Sequence, residues 1–386
     1  MEKEVISERQ GIVLVILFLI GSSGIVGMSG QARQDSWISI IIAVAGSSVI
    51  LFMYSKILSR YPGKDLFDIL QIVFGKYIGK SLSIIMIWYA FHLGTLVIRN
   101  LSDFTNTEVF PDTPVVVLII FFIILCIYGV KLGIEVLGRW SELFTIIVII
   151  TILFLTILSV SQMDINRIKP ILDSGLTLIL KGAFSDFSFP FGETVVFTMV
   201  FSNIHKGGSY TKVFIVGLLI GGLVLLIVNF RNILVLGAEE ISKAYFPSFT
   251  VMKLIHAGEL FQRLEMFVAI VFIVCVFIKL NMCILAVCKG IAKVFGFDDY
   301  RFIVTPIALL MFEFSLFIYK SIMEMTEWTS KAGSYYFLPF EVIIPIITFI
   351  GVEVKAKKKS KKNLLSDSHN SYFALRVYLV ILSKIS

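Results

Sequence analysis

Long blocks of uncharged residues are the feature that most constrains what this chain can fold into. Ile38–Tyr54 and Val213–Phe230 contain no charged side chain, and each is about as long as a helix that crosses a hydrocarbon core of roughly 30 Å. Charged residues make up 16% of the sequence, whereas a soluble domain has about a quarter of its residues charged. Because a chain in lipid must satisfy its backbone hydrogen bonds internally, such blocks predict an all-α, multi-pass integral membrane protein.

The hydropathy pattern predicts about ten transmembrane helices. We number them spans 1 to 10, with expected bounds of 10–30, 36–58, 80–102, 113–131, 139–161, 187–205, 211–236, 264–290, 302–321 and 335–352. Lysine and arginine are concentrated in the segments that share a side with the N-terminus, which predicts that both termini are cytoplasmic. The leader 1–10 mixes acidic residues with Lys3 and Arg9, so we expect span 1 to be retained and not removed as a signal peptide.

Three segments outside the spans have distinct compositions. Residues 65–79 have apolar residues at helical spacing, which predicts a short helix near the membrane surface. The lysine-rich run 355–362 follows span 10 directly and is typical of an anchor at anionic lipid, so the net charge of +7 requires no nucleic acid. We expect residues 1–362 to form a single transmembrane permease-like domain, and the tail 363–386 is left unassigned.

Two spans carry helix-breaking residues at matching places. Span 1 contains Gly21-Ser22-Ser23-Gly24 in its middle, and span 6 contains Phe189-Pro190-Phe191-Gly192-Glu193. These are the first helices of two five-span halves, at about 10–161 and 187–352, so the pattern favours inverted repeats with broken helices 1 and 6. Unwound backbone in mid-membrane is tolerated where it lines a protein cavity, and its freed N–H groups suit an anionic ligand group. The alternative is that the span 1 glycines only allow close helix packing.

Ionisable residues inside the spans are costly and therefore candidates for function. Glu193 directly follows the break in span 6. Four roles are possible for its carboxyl group: a ligand contact, a proton-linked acid, a latch to another helix, or a structural hydrogen bond. Lys279 lies in the middle of span 8; it either occupies a cation position, pairs with Glu193 or Glu313, or extends to the interface.

A second candidate group lies on span 3. Tyr89 and His92 are three residues apart and share a helix face, so they either border the cavity or form buried structural contacts. Glu341 in span 10 is a further candidate, and Glu313 in span 9 is a weaker one. The predicted ligand-binding residues are Gly21, Ser22, Ser23, Gly24, Tyr89, His92, Phe191, Gly192, Glu193 and Lys279.

Taken together, these residues resemble the B subunits of the spore germinant receptors, the spore germination permease family of the amino acid–polyamine–organocation superfamily. The resemblance covers about residues 5–362. Its motifs are Gln10, the glycine-serine motif of span 1, Tyr61-Pro62-Gly63, Phe74-Gly75-Lys76, Pro190-Phe191-Gly192-Glu193, Phe246-Pro247, Phe261-Gln262-Arg263-Leu264-Glu265, Lys279 and the final basic run.

The resemblance implies a ten-span fold like that of LeuT-type transporters. It also implies a small nutrient ligand, often an amino acid, bound between spans 1, 3, 6, 8 and 10. The expected location is the inner membrane of a bacterial endospore, and the expected partners are a membrane-embedded A subunit and a lipid-anchored C subunit. Ligand binding would then trigger ion release and germination.

Two other classes of function remain in view. The same scaffold suits a proton-coupled secondary transporter of amino acids. An enzyme is not expected, because the four histidines are scattered, no Ser-His-Asp arrangement is visible and the four cysteines sit in apolar blocks. No metal or other cofactor is predicted.

Overall fold

The computed structural model describes residues 4–28, 30–202, 204–205, 208–255 and 263–358. Within these ranges the chain is almost entirely helical and contains no β-strand; an isolated parallel bridge joins Ile6 to Ile204. Residues 363–386, the basic run from 359 onwards and the residues Phe261 and Gln262 of one predicted motif lie outside the described residues.

Ten segments correspond to the predicted spans. Their bounds are Glu8–Ile20 and Ser23–Val26 for span 1, Ser36–Arg60 for span 2, Lys76–Phe104 for span 3, Val115–Leu132 for span 4, Ile134–Ser159 for span 5, Leu176–Asp186 and Val196–Val200 for span 6, Tyr210–Leu236 for span 7, Glu265–Phe295 for span 8, Arg301–Phe317 for span 9, and Ser334–Leu338, Pro339–Ile343 and 344–358 for span 10. Shorter helices are Leu66–Phe74, Ala238–Lys243, Pro247–Leu254 and Ile322–Trp328.

Eight of the described helices are long and apolar enough to cross a membrane. The remaining two segments are span 9, which has 17 helical residues, and span 6, which is broken in its middle. The prediction of an all-α integral membrane protein is confirmed, and successive spans alternate in direction. We call the side where span 1 begins the N-terminal face and the other side the opposite face.

A short helix is present within the predicted segment 65–79, at Leu66–Phe74, and Gly75 separates it from span 3; its place near the membrane surface stays a prediction. Span 6 begins about ten residues earlier than predicted, at Leu176, because Lys181 and Asp186 lower the local hydropathy and hide the helix from a hydropathy scan. Asp186 is nevertheless 1% exposed, so its end of this half-helix packs inside the protein, whereas Leu176 and Leu180 near the start are 66% and 49% exposed.

The centre of the bundle is formed by spans 1 and 8. In each of them 72% of the most apolar window is buried inside the protein, compared with 28% for span 5. Span 1 packs against spans 5, 7 and 8, and span 8 packs against span 3. The broken segment of span 1 is therefore surrounded by protein and not by lipid, which is the condition under which unwound backbone is tolerated in a membrane.

Candidate functional site

The break in span 1 is a single tight interruption. The first half-helix ends at Ile20, and Gly21 has φ −1° and ψ −118°, outside the helical region. The chain returns to a short helix at Ser23, whose hydroxyl donates to the carbonyl of Leu19. A second hydroxyl, that of Ser22, is fully buried and makes no hydrogen bond within the described part of the chain.

The break in span 6 is longer and irregular. Regular helix ends at Asp186, and Phe187–Phe191 and Gly192–Val195 form wider and tighter turns before helix resumes at Val196. Phe189 has an extended backbone, with φ −125° and ψ 111°. Spans 1 and 6 are therefore both broken helices, and this confirms what the matched motifs predicted.

A buried ion pair joins span 6 to span 8. The Lys279 Nζ and Glu193 Oε2 atoms are 2.5 Å apart, and the two side chains are 0% and 2% exposed. The ammonium group also lies 5.0 Å from the ring centroids of Phe18 in span 1 and Phe189 in span 6, within cation–π distance. Lys279 of span 8 therefore contacts both of the spans that carry a break, span 1 and span 6.

Two glycines make this arrangement sterically feasible. A Cβ atom on Gly21 would lie 2.7 Å from Cδ of Lys279, and one on Gly192 would lie 2.7 Å from the carboxyl carbon of Glu341. Real Cβ contacts do not come this close. Gly21 and Gly192 thus leave room for the side chains of Lys279 and Glu341, whereas a Cβ on Gly24 would meet only Ile20, at 3.2 Å.

Glu341 forms a second buried acidic group beside the first. Its side chain is 0% exposed, and the Tyr89 hydroxyl donates to its Oε1 at 3.0 Å. The Tyr54 hydroxyl donates to its backbone carbonyl. Among the described residues no cation lies within ion-pair distance of this carboxyl. The side-chain hydroxyl of Tyr89 on span 3 is therefore used in a contact with Glu341 on span 10.

His92 belongs to an aromatic cluster. Its ring stacks on Trp88 at 5.8 Å and meets Tyr336 edge-on at 5.2 Å. The cluster extends to Trp328 and Phe337. This geometry matches the buried structural role that was one of the two interpretations of His92.

A central cavity of about 370 Å³ lies between the two breaks. Its deep end is lined by Ser22, Phe189, Glu193 and Lys279, and its walls come from span 3 and from the helices that precede spans 8 and 10. Three of the predicted residues therefore line it directly: Ser22, Glu193 and Lys279. The other seven are not among its lining residues: Gly21, Ser23, Gly24, Phe191 and Gly192 belong to the two broken segments, and Tyr89 and His92 to span 3.

A larger hollow, which we call the vestibule, adjoins the cavity on the opposite face. It measures about 970 Å³ and its lining includes Arg33, Lys181 and Lys331. The two spaces share the lining residues Gly30, Gln31, Ser185, Ser242 and Ser330. The vestibule thus leads from the opposite face towards the cavity.

The N-terminal face is closed by a segment that we call the latch, residues 4–8. Glu4 Oε2 lies 2.8 Å from Lys289 Nζ of span 8, and Tyr300 donates to Glu4 Oε1 at 2.7 Å. Glu8 Oε1 lies 2.5 Å from Lys212 Nζ of span 7. The backbone N–H of Val5 donates to Glu135 of span 5, so the latch joins spans 1, 5, 7 and 8.

The electrostatics of the latch favour its charged form. Burial alone would raise the pKa of Glu4, but the charge and hydrogen bond of Lys289 outweigh it, helped by Tyr300 and Arg301, and the pKa of Glu4 is lowered. Glu4 is therefore an ionised partner of Lys289 at neutral pH. In the ranges that the structure covers, no three His, Cys, Asp or Glu side chains are grouped so as to hold a metal ion.

Sequence reasoning missed the latch and left Glu341 outside the predicted ligand-binding residues. Glu341 could be recognised only as one more acid inside a span, and its position beside Gly192 depends on how span 10 packs. The latch residues lie before span 1 in a mixed-charge leader that carries no motif, so no signal in the sequence marked them.

Comparisons with known proteins agree with this geometry. A family model described as spore germination protein matches residues 5–325. Spore germination protein KB of Bacillus subtilis (strain 168) is 27% identical over 365 residues, covering 94% of this chain and 98% of the relative. Spore germination protein XB of Bacillus anthracis is 23% identical over 351 residues, covering 82% of this chain and 97% of the relative.

Two solved transporters share the fold. MhsT in complex with L-phenylalanine superposes with a TM-score of 0.67 at 13% identity, covering 89% of each chain. Mhp1, a nucleobase-cation-symport-1 family transporter in a closed conformation with bromovinylhydantoin bound, gives 0.63 at 10% identity, covering 90% of this chain and 78% of the transporter. The arrangement of helices is that of the LeuT-type transporters.

Proposed function

We propose that this chain, which belongs to the spore germination protein family, is the membrane subunit of a nutrient germinant receptor. It binds a small ligand, an amino acid or similar nutrient, in the central cavity and thereby triggers germination. The observation that carries the proposal is the cavity of about 370 Å³ between the two broken spans, with Lys279, Glu193 and the unpaired Ser22 hydroxyl at its deep end.

The volume and the chemistry of the cavity both suit such a ligand. Ligand pockets in proteins measure about 300–1,000 Å³, so this one is at the small end of that range. An amino acid carries one ammonium and one carboxylate group, and the deep end offers Glu193 for the first and Lys279 for the second. Phe189 and Phe337 supply apolar wall beside them.

Ligand binding acts on the breaks themselves. Ser22 belongs to span 1 and Glu193 to span 6, so a ligand that contacts both favours the arrangement of these two spans that fits it best. A ligand shifts such an equilibrium by as much as its affinities for the two arrangements differ. The receptor interpretation requires this shift to reach the partner subunits.

The same proposal extends to surroundings and partners. We place the chain in the inner membrane of the bacterial endospore with both termini cytoplasmic, together with a membrane-embedded A subunit and a lipid-anchored C subunit. The family membership supports the location and the partners. The basic residues Lys212, Lys289 and Arg301 all lie at the N-terminal face, and this supports a cytoplasmic N-terminus.

The test is a germinant panel on spores that carry Glu193→Gln or Lys279→Met in place of the native chain. We expect loss of the response to the nutrient that this receptor recognises, with responses through other receptors unchanged. Glu313→Gln is the matched control, because Glu313 is an exposed carboxylate within span 9. A normal response to every nutrient in the Glu193→Gln and Lys279→Met spores would contradict the proposal.

A second candidate function is a proton-coupled secondary transporter of amino acids. The likeness to MhsT and Mhp1 over about nine-tenths of the chain favours it. Uptake of labelled amino acid into proteoliposomes separates the two candidates. Saturable accumulation driven by a pH gradient supports transport, and binding without flux supports a receptor.

A further inference from the structure

Arg231 is a buried cation without a buried anion. It lies near the opposite-face end of span 7 and is 2% exposed, so it does not reach a lipid headgroup. Within the described residues the other buried cations are Lys279, which pairs with Glu193, and Lys289, which pairs with Glu4. No carboxylate in the described ranges lies within ion-pair distance of Arg231.

The hydrogen bonds of Arg231 use only part of its donor capacity. Its Nε and Nη2 atoms donate to a single oxygen, Oδ1 of Asn232, at 3.2 and 2.8 Å. A guanidinium group has five N–H donors. Burying such a charge beside one neutral partner costs several kcal/mol unless an anion compensates it.

A small void lies against Arg231. It measures about 20 Å³ and is lined by Gly21 and Gly24 of span 1, by Ser248, and by apolar side chains of spans 5, 7 and 8. A space of this size holds one water-sized particle. It shares no lining residue with the central cavity among the residues described, so the carboxylate of a nutrient bound in the cavity does not fill it.

We propose that Arg231 binds a single monatomic anion of the size of chloride in this void. Neutralisation of the guanidinium supplies the binding energy, and the apolar wall excludes polyatomic anions, which are much larger than a halide ion. Among the described residues, neither the hydrogen-bond partner of Arg231 nor any other residue that lines the void carries a negative charge.

The site is linked to the break in span 1. Asn232, which holds Arg231, donates to the Ser248 hydroxyl at 3.1 Å, and Ser248 donates to the carbonyl of Gly24 at 2.7 Å. The void touches Gly21 and Gly24, whereas the central cavity touches Ser22 between them. The anion and the nutrient therefore occupy opposite sides of one turn, and their affinities are coupled reciprocally.

The test uses the purified full-length chain in sodium chloride and in sodium gluconate of equal ionic strength. We expect Tm to rise saturably with chloride, bromide to replace chloride, and gluconate to have no such effect because it is too large. In crystals soaked in bromide, an anomalous scattering peak should lie beside Arg231. Equal Tm in the two salts together with no bromide peak would overturn the proposal.

Two variants address the residue directly. Arg231→Gln should abolish the chloride response. Val228→Asp places a nearly isosteric carboxylate three residues away on the same helix face and in the same void; it supplies an internal counterion, so the protein should fold and lose its need for chloride. Lys181→Gln, at the exposed vestibule, is the control that should keep the full response. A Val228→Asp protein that still requires chloride would contradict the assignment even where Arg231→Gln fails to fold.

Discussion

The two faces of the bundle differ in how tightly the protein is packed between the face and the central cavity. At the N-terminal face, the latch is held by the largely buried pair of Glu4 and Lys289, 2.8 Å apart and 12% and 4% exposed. At the opposite face, the vestibule of about 970 Å³ is lined by exposed polar residues such as Lys181. In this conformation the cavity therefore adjoins the vestibule at the opposite face, and for the proposed receptor we expect the ligand to enter from that face while the latch stays closed.

The largest effect on stability is expected in the centre of the bundle, between the two faces, at the ion pair of Lys279 and Glu193. Lys279→Met leaves the Glu193 carboxylate buried without a partner, which costs about 3–5 kcal/mol in the free energy of unfolding. Chemical denaturation of the purified protein measures this loss. The double variant with Glu193→Leu should recover much of the stability while binding no nutrient, and a double variant as unstable as the single one would show that the pair is not coupled as its geometry indicates.

The next largest effect concerns the latch. Glu4→Gln removes the anionic partner of Lys289, which is itself 4% exposed, and should cost about 1–3 kcal/mol. It should also increase the labelling, by a thiol reagent added from the N-terminal face, of a cysteine introduced at Ser22 in the cavity. The four native cysteines are buried, so replacing them with alanine or serine in the background provides a clean readout.

The matched control for the latch lies on the same face. Arg60 and Glu353 are 2.9 Å apart, but their side chains are 49% and 28% exposed. Because solvent screens such pairs, Arg60→Gln should cost much less stability than Glu4→Gln and should leave labelling of the cavity unchanged. Equal effects of Arg60→Gln and Glu4→Gln would remove burial as the reason why the N-terminal face is closed.

A smaller effect is expected at the vestibule. Lys181 is exposed and makes no ion pair within the described ranges, so Lys181→Gln should change the free energy of unfolding by no more than about 0.5 kcal/mol. The same variant should leave access to the cavity from the opposite face unaltered. A loss of stability comparable to that of Glu4→Gln would mean that the vestibule is as tightly held as the latch.

The smallest effect is the pH dependence of the latch. Because the pKa of Glu4 is lowered in the folded protein, its contribution to stability is complete above the ordinary pKa of a glutamate and is lost as the pH falls through the lowered value. Unfolding experiments at decreasing pH should show this component in the native protein and not in Glu4→Gln. An identical pH profile for the two proteins would contradict the ionised state of Glu4.

The position of a residue along its span could be predicted from the sequence better than the side of the helix on which its side chain lies. Glu193 and Lys279 lie in mid-span, as the uncharged residues around them indicated, and the glycine and proline motifs marked the breaks correctly. The choice between Glu193 and Glu313 as partner of Lys279 could not be made, because hydropathy does not report the rotation of a helix about its axis. The structure buries Glu193 and exposes Glu313.

The same limit explains the other differences. His92 and Tyr89 share a face as predicted, but that face packs on span 10 and its aromatic residues, and packing between distant segments leaves no local pattern. The place of Arg231 near the end of span 7 does not reveal its burial, because the residues of spans 1, 5 and 8 that pack around it are distant in the sequence. The early start of span 6 was hidden because Lys181 and Asp186 interrupt an otherwise apolar helix.

The ion pair of Lys279 and Glu193 has one further consequence. With both side chains ionised the pair is electrically neutral, and an amino acid zwitterion added to it is neutral as well. Moving one elementary charge across a membrane potential of 100 mV involves about 2.3 kcal/mol, whereas movement of a neutral assembly involves almost none of this energy. For the proposed receptor we therefore expect ligand affinity at this pair to be the same with and without a membrane potential.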